Sequence, residues 1–112
     1  MIRSNRTRRA TLKIRTTANR AAARIRRRGN ASLQTYALAQ GLTPRDARSM
    51  VGALRKTAKK ILITGTEHRV HAGRRMRTTS RYTPIQVALI CLVYRPRKPA
   101  YRIVAAKLAF AA

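Results

Sequence analysis

Apolar residues recur at helical spacing over most of this 112-residue chain, and the clearest case is residues 43 to 61. On a helix turning about 100° per residue, Ala47, Met50, Val51, Leu54, Ala58 and Ile61 fall in an arc of roughly 100°. Arg45, Arg48, Ser49, Gly52, Arg55, Lys56 and Lys59 fall opposite them, in an arc of about 120°. One side is suited to burial and the other to a negatively charged partner. Thr43 is a favourable N-cap, Pro44 fits the first turn, and Asp46 is placed to complete a capping box at the positive end of the helix dipole. Gly52, central on the cationic side, lets a partner approach the backbone closely.

The same spacing predicts further helices. Ile14, Ala18, Ala21, Ala22 and Ile25 mark one from about Ala10 to Arg28, stopped by Gly29-Asn30. Residues 1 to 9 hold four arginines and little apolar content, and read as a flexible basic arm. Ser32 caps a short second helix through Gln40, with Leu33, Tyr36, Ala37 and Gln40 on one face and Gly41 at its end. Ile61 to Thr64 is β-favourable, and residues 67 to 83 predict a hairpin with its tip at Ala72-Gly73-Arg74-Arg75. Thr83-Pro84-Ile85-Gln86 repeats the helix-start signal, predicting a helix over 84 to 94 whose Ile and Val content also suits a buried strand. Pro96 and Pro99 bracket a stiff turn before a last helix over 100 to 110.

Charge narrows the class of partner. The chain has 27 Lys+Arg against 2 Asp+Glu, a formal net charge of +25, and Arg outnumbers Lys 21 to 6. Such an excess repels itself unless salt or an anionic partner screens it, which points to nucleic acid first and an anionic membrane surface second. Guanidinium forks suit phosphate and guanine edges, although a GC-rich genome also favours Arg and Ala. The apolar run 85 to 94 is about half the length of a membrane span. The basic N-terminus lacks the apolar core of a secretory signal, while residues 1 to 28 keep a mitochondrial-type presequence open. The lone Cys91 excludes an internal disulfide and fits a reducing compartment.

The order helix, helix, turn, helix, basic hairpin resembles a winged helix-turn-helix domain, of the kind found in small DNA-binding regulators of phages and plasmids. The resemblance covers about residues 10 to 83. It rests on Ala37 in the first helix of the motif, Gly41 and Leu42 at the turn, and Ala47 and Met50 as the residues locking the second helix. Gln40 departs from it, standing where an apolar residue is common. The resemblance implies a mainly α fold with a small β-hairpin wing. It makes the helix over about 44 to 59 the recognition helix in the major groove. Arg45, Arg48, Ser49 and Gly52 would then face bases, and Arg55, Lys56, Lys59 and Lys60 would meet phosphates. Arg74, Arg75 and Arg77 would form the wing on backbone or minor groove, and Arg3, Arg6, Arg8 and Arg9 a minor-groove arm.

Residues 84 to 112 then form a C-terminal helical hairpin. Ile85, Val87, Ala88, Leu89, Ile90, Leu92 and Val93 exceed one helical stripe, so either the last helix or a second copy of the chain covers the excess. No metal, cofactor or catalytic role is expected. Asp46 reads as a cap and Glu67 stands alone; His68 and His71 lack further ligands nearby, and Cys91 sits in an apolar run. The reading is a sequence-specific duplex-DNA binder acting in transcription, replication or recombination, located with the nucleoid in the cytoplasm. A structural rRNA-binding protein of ribosomal type and a non-specific nucleoid-compacting protein remain open, with organellar or ribosomal location as the alternative.

Overall fold

A computed structural model of the chain describes residues 2 to 110, except for the side chains of Ile2, Arg3 and Ala72. The fold is mainly α with one small hairpin. The elements run α1 (Ile2–Arg28), α2 (Leu33–Ala39), α3 (Pro44–Lys60), β1 (Thr66–Ala72), β2 (Arg75–Arg81), α4 (Pro84–Val93) and α5 (Pro99–Phe110). Packing follows chain order: α1 on α2, α2 on α3, α3 on α4 and α4 on α5.

The predicted starts hold at atomic detail. Ser32 Oγ accepts from the Thr35 N–H, Thr43 Oγ1 from Asp46 and Thr83 Oγ1 from Gln86. At Thr83 the box is reciprocal, since Gln86 Oε1 accepts from the Thr83 N–H at 2.9 Å. At Thr43 only half the expected box forms, because the Asp46 carboxylate turns to Tyr101 Oη, 3.4 Å away. Gly41, at φ +90°, ends the α2 turn as expected.

Two expectations change. Of the flexible arm expected over 1 to 9, residues 2 to 9 are helix, for α1 runs unbroken from Ile2 and has no boundary near Ala10, and residue 1 lies outside the described residues. No Pro or Gly interrupts residues 2 to 28. Once the C-terminal half packs, each further residue adds one backbone hydrogen bond at little extra cost. The β-favourable run Ile61 to Thr64 is not a strand but the stop of α3. Leu62 N–H donates to Lys59 O and Ile63 N–H to Ala58 O, with Leu62 at φ +60°. This is the paired closure usually built on glycine.

The core is one cluster. Leu33, Tyr36 and Ala37 of α2 meet Ala47, Met50, Val51, Leu54 and Ala58 of α3, Val87, Ile90 and Cys91 of α4, and Val104, Ala105 and Leu108 of α5. Met50, Leu54, Val87 and Ile90 are fully buried, and α1 adds Ile25 at the margin. The apolar excess of 84 to 94 is helix, and α5 covers part of it. Ile85, Leu89, Leu92 and Val93 stay open.

The two strands form an antiparallel ladder in register Thr66↔Arg81 through Ala72↔Arg75, around the two-residue turn Gly73-Arg74. Gly73 takes φ +67° at the first turn position, as such tight hairpins require. Tyr82 and Thr83 lie beyond the return strand: Tyr82 pairs with Ala31 through backbone bonds of 3.1 and 2.7 Å, and Thr83 caps α4. The Ala31 bridge ties the hairpin base to the linker between α1 and α2. Tyr36 Oη reinforces it, donating to Tyr82 O at 2.7 Å.

Candidate nucleic-acid interface

The two faces of α3 separate cleanly in space. Ala47, Met50, Val51, Leu54 and Ala58 are buried, while Arg45, Arg48, Ser49, Gly52, Arg55, Lys56, Lys59 and Lys60 are all exposed. Ile61 is half-buried and sits just past the last helical residue. The charge is left outward because nothing inside could pair with it. A Cβ built on Gly52 would meet no atom within 4 Å, so glycine is not needed there for packing. Arg48 Nε lies 3.4 Å from Pro44 O, folding its guanidinium back over the exposed first turn of α3.

The C-terminal half of α3 and the hairpin border a groove of about 610 Å³. Arg55 and Lys59 line it from α3, Arg77 from β2, and Ser32 and Gln34 from the start of α2. Three cations thus converge from two elements, and Glu67 is the one acid in the lining. Sequence spacing could not place Ser32 and Gln34 here, since the Ala31–Tyr82 pairing that seats the hairpin joins positions far apart in the chain. The geometry at the hairpin entry is tight: a Cβ on Gly65 would stand 2.7 Å from Arg81 O.

Arg74 and Arg75 sit exposed at the far end of the hairpin, away from α3, and Arg69 adds an exposed cation on β1 that the sequence reading did not single out. Of the N-terminal group, Arg6, Arg8 and Arg9 are exposed on α1, and the side chain of Arg3 lies outside the described residues. The structure therefore joins α3 with Arg77 and leaves the arginines of α1 on a separate element.

His68 and His71 are three positions apart on one strand and so point to opposite faces of the hairpin. His68 is half-buried, and its Nε2 is enclosed with no hydrogen-bond partner among the described residues. Among the described residues, no three His, Cys, Asp or Glu side chains come together as a metal-binding group. Burial pushes the Cys91 thiol up to about 11, which keeps it protonated and unreactive at neutral pH. Among the described residues no helix is long and apolar enough to cross a membrane. In comparisons with known proteins, no family model, curated protein or solved structure matches the chain.

Proposed function

We propose that this chain is a sequence-specific duplex-DNA-binding protein of winged helix-turn-helix type, acting in transcription, replication or recombination. The observation carrying the reading is α3: a helix of 17 residues that buries Ala47, Met50, Val51, Leu54 and Ala58 and whose exposed arc carries the cations from Arg45 to Lys60. A helix of that shape fits the major groove. In this reading Arg45, Arg48 and Ser49 reach base edges, while Gly52 allows the backbone close to the duplex. Arg55, Lys56, Lys59 and Lys60 take phosphates. The groove supports a wing role for the hairpin, since Arg77 stands with Arg55 and Lys59 along one path for a phosphate backbone. The Ala31–Tyr82 bridge supports it too, by fixing the hairpin against the helices.

The pairing of two copies through 84 to 112 belongs to the same proposal, with residues 111 and 112 outside the described structure. Ile85, Leu89, Leu92 and Val93 form one open stripe on α4, and Ile103 and Phe110 stand exposed on α5. Each of the six is about half exposed or more, an apolar excess that a second copy of the chain could cover. A two-fold pair would present two α3 helices to a palindromic site.

The test is selection of bound sequences from a random duplex pool, followed by titration of the winner, random duplex and structured RNA over a salt series. A preference of roughly 10³-fold or more for the selected duplex at physiological salt is expected. Equal binding to all duplexes leaves compaction as the function, and preference for RNA leaves the ribosomal role. Within the selected complex, Arg48→Ala is expected to cost about 1–3 kcal/mol and relax base preference. Lys59→Ala should weaken every duplex alike and flatten the salt slope by about one unit.

A further inference from the structure

The long helix α1 carries a feature that the α3 reading does not use. Arg6, Lys13, Arg20 and Arg27 recur every seven residues, and Arg9 and Arg24 fall within the same arc of roughly 60°. All six side chains are exposed. Ile14, Ala18, Ala21, Ala22 and Ile25, all buried or half-buried, lie around the helix from them and face the body of the domain, while half-buried Thr17 and Ala23 border the line on either side. At 1.5 Å per residue the line of cations extends about 32 Å, close to one turn of duplex at about 34 Å. No acid interrupts it, since Asp46 is the first in the chain.

In an isolated chain such a line costs helix stability. Arg6–Arg9, Arg9–Lys13, Arg20–Arg24 and Arg24–Arg27 are like-charge neighbours at helical spacing. Residues 4 to 13 are exposed, so the core does not offset this. A row of phosphates would relieve all of it at once.

The line belongs to a different element from α3. α1 packs chiefly on α2, while α3 packs on α2 and α4. The cations of α1 point away from the face that packs on the domain, as those of α3 do from theirs.

We propose that the outer face of α1 is a second nucleic-acid site, which holds the phosphate backbone of a second DNA duplex without reading its sequence, so that one chain bridges two duplexes. This rests on the α3 reading only in requiring a first duplex site elsewhere on the chain.

The test mixes donor-labelled and acceptor-labelled short duplexes, both carrying the selected site, with the full chain. Energy transfer between duplexes is expected for the unaltered protein. The triple variant Arg20→Gln, Arg24→Gln, Arg27→Gln changes exposed positions in the half of α1 that packs on α2. It should lose the transfer while still binding and discriminating one duplex. The matching Arg→Lys triple should keep the transfer, separating lost charge from lost folding. Removing three phosphate contacts should also lower the salt slope of bridging by about 3 units. Absence of transfer with the unaltered chain overturns the proposal. So does transfer that survives the Gln triple, as bridging by paired copies through α4 would give. Loss of single-duplex binding in the Gln triple overturns it as well, because α1 and α3 would then share one duplex. Failure of the α3 reading looks different: Arg48→Ala would leave sequence preference unchanged, whatever the transfer assay reports.

Discussion

Gly52 and Leu62 carry opposite lessons about single residues. Gly52 occupies an ordinary helical position with open space around it, so alanine fits and its backbone cost disappears. Gly52→Ala should raise stability by about 0.5–1 kcal/mol in denaturant melts. If a duplex backbone passes over that position, the same change should weaken binding about tenfold or more. A variant more stable and equally tight would remove close approach from the α3 contact. Leu62 is the reverse case, an exposed leucine held at φ +60° where glycine is at ease. Leu62→Gly should stabilise the chain by about 1 kcal/mol, read as a shift in the unfolding midpoint, because the closure of α3 keeps its hydrogen bonds and loses its strain.

At the scale of elements, the hairpin is held to the helices at its base rather than along its length. Tyr36 Oη and the Ala31 bridge meet at Tyr82, and Gln86 Nε2 reaches Thr64 O at 3.3 Å. Two buried groups titrate, Tyr36 at this joint and Cys91 in the core. Burial pushes the Tyr36 phenol up to about 12 from 10.0 and the Cys91 thiol up to about 11 from 9.0. For both groups the folded state holds its proton more tightly than the unfolded chain. Their contribution is therefore fully present below about pH 9 and declines as pH rises through 9 to 12. Thermal melts should show no loss from these groups near neutrality and a fall above about pH 9. Tyr36→Phe should be less stable by about 1 kcal/mol at neutral pH and lose less between pH 10 and 12. An equally steep alkaline fall in Tyr36→Phe would show that other groups drive it.

For the molecule as a whole, a net charge of +25 sits on a small core shared by four helices with the fifth, α1, at its edge. Self-repulsion must be paid down by solution ions or by a bound polyanion. Raising salt from roughly 0.05 to 0.5 M shortens the screening length from above 10 Å to about 4 Å. Relief of about 1 kcal/mol would then raise Tm by about 4 °C. Duplex DNA should raise Tm further by mass action at low salt. A Tm that ignores both would mean the charges stand too far apart to weaken the fold. For the paired form, sedimentation of Leu89→Lys should give a smaller species than the unaltered chain.

What the sequence determined alone is local. Caps at Ser32, Thr43 and Thr83, the stop at Gly41, the turn at Gly73 and the two faces of α3 all depend on neighbours within a few residues, so spacing and side-chain chemistry expose them. Where local preference competed with packing, reading failed. Residues 2 to 9 look too polar to order, yet helix propagates into them from the packed half of α1. Ile61 to Thr64 look β-favourable, yet the end of α3 captures Leu62 and Ile63 for its own carbonyls. The exposure of the α3 cations was legible, because an amphipathic helix can bury only its apolar side. Only the tertiary structure decided that Arg55, Lys59 and Arg77 share a groove, and that the Ala31–Tyr82 bridge seats the hairpin there. Contacts between positions so distant in the chain leave no periodicity in it. They arise from how the core of α2, α3, α4 and α5 sets the elements around it.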